Sequence, residues 1–366
     1  RIKKMWKYVL KRIGLALVTA FIILYITFIL MKLVPIDKPP GTDEARFSYW
    51  QSLVYDGFVE KTTNEKKAAG QLDHKHTFEK GKCECGAVEP LDVVTLNSGK
   101  VYYYKVPALK QYVRWLKNIA TEWNWGTSTA IKPNVSAMHI IGERLPNTIK
   151  LNVVSVIFSV PLGILLGIWA ALKKNTLTDH IISTSVMIFI SIPSFVLITF
   201  LLLLLCYNNQ ILPSQWPSDT ASQSEKIKGF IIPVFCLSFG SICGYCRFVR
   251  AELCEVMSSE YLLLARTKGL TKRQAILRHA LRNAMVPIVP SILAEVIGLL
   301  GGSMILERLY GILGIGELFI TALNKKDYNV LMVDMALFTT ISLLAGVVLD
   351  ISYGFIDPRI RMGAKK

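Results

Sequence analysis

Long apolar runs separated by polar, basic segments dominate this chain. Six runs reach about 17 to 25 residues, the length a helix needs to cross a hydrocarbon core of about 30 Å. They predict transmembrane spans over 13–34, 148–172, 180–206, 229–249, 284–306 and 330–355. The first run follows a basic start, is longer than a signal-peptide core and lacks a small-x-small cleavage site. It therefore reads as an uncleaved span. Two polar stretches are too long to be simple connectors. Segment 35–147 carries Val101-Tyr102-Tyr103-Tyr104 and an aromatic helix-like stretch from Tyr112 to Trp125, predicting a small α+β insertion at about 45–105. Segment 250–283 reads as a helical hairpin, with Gly269 as a helix stop and Thr271 as a helix start.

Basic residues set the orientation, because Lys and Arg collect on the cytoplasmic side. Arg1, Lys3, Lys4, Lys7, Lys11 and Arg12 precede the first span without an acid among them. Six alternations then put Lys173 and Lys174, the loop 250–283 with Arg250, Arg266, Lys268, Lys272, Arg273, Arg278 and Arg282, and the tail with Arg359 and Arg361 on that same side. Segment 35–147 falls outside. The bulk composition agrees: 52% of the 366 residues are hydrophobic and 19% are charged, and the mean hydropathy is +0.41. The net charge of +16 is a topology signal, and no aromatic-and-basic pattern points to nucleic acid.

A further set of stretches carries a resemblance. Glu260-Tyr261-Leu262-Leu263-Leu264-Ala265-Arg266-Thr267-Lys268-Gly269-Leu270 continues into Arg278-His279-Ala280-Leu281-Arg282-Asn283-Ala284 and Pro287. Upstream stands Glu143-Arg144-Leu145-Pro146-Asn147-Thr148. Downstream stand Gly311-Ile312-Leu313-Gly314-Ile315-Gly316, Asp327-Tyr328 and Asp357-Pro358-Arg359. In this order and spacing the chain resembles ABC importer permeases of the oligopeptide/dipeptide/nickel branch, B-type. The wider superfamily has Glu-Ala-Ala six residues before the Gly, and here only Ala265 and Gly269 match.

The resemblance implies an all-α membrane protein of the type I ABC importer permease fold, divided as 1–34, the extracytoplasmic insertion 35–147 and the permease core 148–362. It implies a sister permease, two ATP-binding cassette subunits carrying ATP and Mg, and an extracytoplasmic substrate-binding protein, in a bacterial plasma membrane with both termini cytoplasmic. Glu260, Ala265, Lys268, Gly269 and Leu270 would form the ATPase-coupling loop, and Gly311, Gly314 and Gly316 part of an external gate. The cargo would be oligopeptides or dipeptides, with nickel or another small solute as the alternative.

From the residues alone, energy comes from a separate subunit or from an ion gradient, and the hairpin is either a docking surface or a membrane-lying loop with structural duty only; the resemblance favours docking to an ATPase. No Gly-x4-Gly-Lys-Ser/Thr stretch is present, so the chain has no phosphate loop of its own. A hairpin of about 30 residues cannot bury its own apolar face, so Leu262, Leu263, Leu264, Ile276 and Leu277 are expected to need a partner surface. An ion-gradient transporter working alone would have no use for it, and a sensor receptor would need a cytoplasmic signalling domain after the last span. No Ser/His/Asp set or paired carboxylates suggest an active site.

Acids inside spans are costly and face a cavity or a partner. Glu295, near the middle of span five, and Asp334, near the external end of span six, are candidates for lining the path and meeting a peptide amino group. The alternative is pairing on a neighbouring helix, which also covers Asp350. Gly163/Gly167 and Gly298/Gly302 have the small-xxx-small spacing of close helix packing. His74, His76, Cys83 and Cys85 form a candidate zinc site, although one residue between cysteines is tighter than the usual two to four. Cys243 and Cys246 have redox-pair spacing but lie within a span, where small residues pack between helices.

Overall fold

A computed structural model describes residues 2–33, 39, 41–63, 83, 88–97, 99–218, 220–298 and 301–356. Five helical stretches are long and apolar enough to cross a membrane. These are Val9–Met31 within α1 (Ile2–Leu33), α4 (Ala137–Leu172), α7 (Gln223–Met257), Arg273–Gly298, and Tyr328–Ser352 within α13 (Tyr328–Ile356). The sixth is a bent pair. α5 (Leu177–Ile190) and α6 (Ser194–Leu201), continued by a π-helical turn Leu202–Asn208, meet at 94°. The break falls at Ser191-Ile192-Pro193. Proline has no N–H to donate and drives the residue before it out of the helical region, so the helix stops and restarts there.

Several expected boundaries move. Span two begins at Ala137 rather than after Pro146, and Pro146 lies inside the helix. Burial of Ala137, Ile140 and Ile141 holds the added turns, which outweighs one missing backbone bond. Span four runs eight residues past 249, to Met257. Span five is displaced toward the N-terminus: α9 (Lys272–Ala275), a π-helical turn Ile276–Ala280 and α10 (Leu281–Gly298) replace 284–306. Met304 opens a separate short helix, α11 (Met304–Tyr310).

The chain divides into two compact units. The first comprises Arg1–Ala20, Glu143–Ile320 and Leu337–Lys366. Here α4 and α7 cross closely. A methyl group on Gly163 would fall 2.7 Å from Tyr245 Cβ, and one on Gly167 2.7 Å from the Cys246 carbonyl oxygen. The small-xxx-small pair thus serves packing within the chain. Arg250 of α7 grips Asp179 of α5 through Nε (2.6 Å) and Nη2 (2.8 Å), so a carboxylate that is 1% exposed keeps its charge compensated. Arg12 of α1 pairs with Asp350 of α13 at 3.1 Å. This settles Asp350 as a helix-pairing residue. Cys243 and Cys246 are buried free thiols of α7.

The second unit comprises Phe21–Gly142 and Thr321–Ala336. It holds α2 (Asp43–Tyr55), a three-stranded antiparallel sheet of β1 (Val59–Thr62), β2 (Asp92–Leu96) and β3 (Gly99–Lys105) in the order β1-β3-β2, and α3 (Ala108–Glu122). The expected α+β insertion is present, and its helix begins four residues before Tyr112. The core is aromatic: Phe28, Trp50, Phe58, Tyr103, Tyr112 and Trp115 are buried together, with Trp50 stacked on Tyr103 at 5.5 Å. Burying side chains of this size stabilises by about 1.5–3 kcal/mol each. Asp92 ties the layers. It accepts from Arg46 Nε (2.9 Å) and Trp50 Nε1 (2.8 Å) of α2 and from the Val93 N–H (2.9 Å).

Candidate functional site: a hairpin, a glycine loop and a polar recess

The hairpin forms from α8 (Glu260–Thr267), the turn Lys268–Thr271 and α9. Lys268 closes α8, its N–H bonding to Leu264 O at 3.1 Å. Gly269 follows with φ +93°, a left-handed value that costs an L-residue about 1–2 kcal/mol. No heavy atom lies within 4 Å of where its Cβ would be, so the glycine answers a backbone requirement and not crowding. Thr271 and Gln274 then cap α9 reciprocally, at 3.3 and 3.1 Å.

The apolar residues of the hairpin divide in two. Leu262 and Ile276 are each 5% exposed and join Ala171, Leu253, Ala275, Ala280 and Ala284 in a core cluster. These two therefore need no outside partner, contrary to the expectation from sequence, because the C-terminal turn of α7 and the π-helical turn supply the missing wall. Leu263, Leu264 and Leu277 remain 63%, 56% and 51% exposed. Glu260, Lys268 and Gly269 are also exposed, while Ala265 and Leu270 are half-buried. A recess of about 250 Å³ opens between α8 and α9, lined by Met257, Ser259, Glu260, Leu263, Arg266 and Ile276 among others.

Gly314 and Gly316 pack closely beside a residue that sequence reasoning missed, while Gly311 stands apart in open space. Glu307 of α11 is fully buried. Its carboxylate accepts from Thr148 Oγ1 (3.0 Å), the Ser303 N–H (3.3 Å) and the Glu317 N–H (3.0 Å). Thr148 Oγ1 accepts in turn from the Ile315 N–H at 2.9 Å. A side chain at Gly314 would strike Glu307 Oε2 and fall 2.5 Å from Thr148 Oγ1, and one at Gly316 would fall 2.7 Å from Met304 N. Gly311 closes α11 with φ +70°. The motif 143–148 supplies the other side: Asn147 Nδ2 donates to Leu313 O (3.0 Å), and Arg144 pairs with Glu317 (3.5 Å). Burial pushes the Glu307 carboxyl above the usual glutamate range against the pull of its donors. An acid beside a Gly-rich stretch, with Thr at the end of the preceding motif, was the available signal.

Glu295 lines a third feature, a recess of about 280 Å³ bounded by α4, α7 and α10. Ser241 Oγ donates to Glu295 Oε1 at 2.7 Å, and the Tyr245 hydroxyl also bonds to this carboxylate. Asn152, Ser155 and Ser159 present one polar face of α4 to the recess, at the i, i+3, i+7 spacing of a helix stripe. Glu295 lies one turn from the end of α10, not mid-helix as the sequence suggested. Gly302, with φ +65°, lies beyond α10 and lines the recess with Gly298, so that pair is not a helix-packing face.

Asp334 belongs to the second unit, where it is fully buried in α13. Asp327 is buried there too and accepts from Ser128 Oγ (2.5 Å) and from the N–H groups of Ala130 and Ile131 (3.0 Å each). Cys83 is buried; His74, His76 and Cys85, the rest of the proposed metal site, lie outside the described residues.

Comparison with known proteins adds a consistent picture. The dipeptide transport system permease protein DppB of Lactococcus lactis subsp. cremoris is 34% identical over 98% of this chain and 100% of its own length. The dipeptide permease DppB of Bacillus subtilis is 27% identical over 99% and 100%, and the oligopeptide permease OppB of Haemophilus influenzae 29% over 98% and 100%. Residues 163–362, which span α7, the hairpin, the glycine loop and α13, match the family described as binding-protein-dependent transport system inner membrane component. The chain, a multi-pass membrane protein, belongs to that family of transport permeases.

Proposed function

We propose that this protein is the membrane-spanning permease subunit of an ATP-driven importer of dipeptides or oligopeptides. It forms half of the translocation path beside a sister permease. ATP and Mg²⁺ belong to two ATP-binding cassette subunits, and an extracytoplasmic binding protein delivers cargo. The observation that carries this reading is the hairpin around Gly269. It is built into the core through Leu262 and Ile276, yet it presents Leu263, Leu264 and Leu277 outward, as a surface meant for another subunit does. Full-length similarity to dipeptide and oligopeptide permeases supports the cargo class.

The membrane is the bacterial plasma membrane, with both termini and the hairpin on the cytoplasmic side and the insertion outside. The basic residues favour this orientation, and the Arg12–Asp350 pair is in keeping with it, since it brings the start of α1 and the end of α13 to one level. ATP-driven closure of the cassettes would move the hairpins and switch the path by rigid-body repacking. Purification of the chain from its native membrane in mild detergent tests the assembly. Recovery of a second permease and P-loop ATPases is expected; a chain that comes away alone under conditions preserving known membrane complexes would overturn it.

A further inference from the structure

Four other acids of the first unit have a charged or backbone partner. Asp179 has Arg250, Asp350 has Arg12, Glu317 has Arg144, and Glu307 has backbone N–H groups and Thr148. Glu295 has only hydroxyls, from Ser241 and Tyr245. Its recess is lined by no Lys, Arg or His among the described residues. Its level is deep in the bundle, because Ser241 lies at the centre of α7 and Ser155 at the centre of α4. An acid among apolar spans is costly and faces a cavity or a partner. A neutral residue would serve packing better.

The surroundings select the sign of what enters. The Glu295 carboxylate is the one charged group on its lining among the described residues. Asn152, Ser155 and Ser159 of α4 line the facing wall; the two serine hydroxyls donate to Leu151 O (3.0 Å) and Val156 O (3.5 Å) and so present their oxygens as acceptors. At about 280 Å³ the recess has room for a small amino-acid residue, since a water occupies about 30 Å³ of liquid.

We propose that this recess is a subsite for the α-ammonium group of the passing peptide, held by Glu295, with Ser241 positioning the carboxylate and the α4 stripe bonding the first peptide unit. The proposal rests on the peptide-importer reading and names the residue in the path that recognises the cargo's charged end.

The α-amino group loses its proton near pH 7.7–8.0, which supplies the test. The complete assembly, with sister permease, ATPases and binding protein, is reconstituted in vesicles, and initial uptake of trialanine is measured for wild type and Glu295→Gln. Around the recess, Tyr245 on α7 is the other titratable group, and α4 contributes none. The proposal predicts a wild-type-to-variant ratio of about tenfold at pH 6.5, as for loss of a charged hydrogen bond, falling toward one at pH 9. Ser241→Ala should show the same profile with a smaller ratio, and it carries the test if Glu295→Gln does not accumulate. A ratio near one at every pH, or a loss that does not change with pH, would overturn the subsite. So would loss of the sister permease from the purified Glu295→Gln assembly, which would make Glu295 a subunit contact. Absence of peptide uptake by the wild-type assembly would instead overturn the peptide reading itself.

Discussion

Two glycine-bearing turns of this protein look alike in sequence and do opposite things in space. Around Gly314 and Gly316 there is no room: Glu307, Thr148 and the backbone of Met304 occupy the space a side chain would need. Around Gly269 there is nothing within 4 Å. The first turn satisfies its polar groups internally, through one buried carboxylate and the motif 143–148. The second satisfies its backbone with caps and leaves apolar side chains in the open. A glycine demanded by crowding marks an anchored loop; a glycine demanded only by φ, on an exposed hairpin, marks a surface that another subunit completes.

The contrast can be broken at either turn. The largest effect on stability is expected at the crowded one. Glu307→Ala leaves the Thr148 hydroxyl and the N–H groups of Ser303 and Glu317 without their acceptor, and each buried unpaired donor costs about 1–3 kcal/mol. The protein should fail to accumulate or should melt far below wild type in detergent. A melting temperature within a degree of wild type would show that the glycine loop does not depend on this anchor.

A smaller effect sharpens the same idea in the second unit, where Asp92 is likewise an internal anchor. Burial works to raise its pKa, but bonds from Arg46, Trp50 and the Val93 N–H outweigh it and hold the carboxyl below the usual aspartate range. The unfolded chain then binds the proton more tightly than the folded one. The stabilisation is complete above the unfolded value near 3.9 and is lost as pH falls through the lowered folded value. Fluorescence of Trp50 and its neighbours, followed from pH 6 to pH 2, should report acid loosening in wild type. In Asp92→Asn the component due to this group should be absent.

Much of this was legible in the chain. Six apolar runs gave the helices, and the Gly-Leu-Thr turn gave the hairpin with its boundary residues correct. What escaped reading was set by packing. Span two extends upstream through Pro146 because Ala137, Ile140 and Ile141 are buried; periodicity cannot see that. The start of α7 was readable, since Ser222 and Glu225 form a capping box, and hydropathy drew attention away from it. The bend in the third span was readable from Pro193, its angle was not. Glu307 was missed because a single acid in an apolar stretch looks like any other until the loop folds onto it. Glu295 was noticed as an acid, but Ser241, which bonds it, and Asn152, Ser155 and Ser159 across the recess become a set only when three helices meet.

The hairpin carries the central claim, and Gly269→Pro tests it most directly. Proline cannot adopt φ +93° and removes the N–H that bonds Arg266 O at 3.0 Å. With no heavy atom within 4 Å of where a Cβ would stand, the damage should stay local. The account predicts normal membrane insertion, a melting temperature close to wild type and no ATP-dependent peptide uptake by the reconstituted assembly. Uptake at the wild-type rate would contradict it and leave the hairpin with structural duty alone.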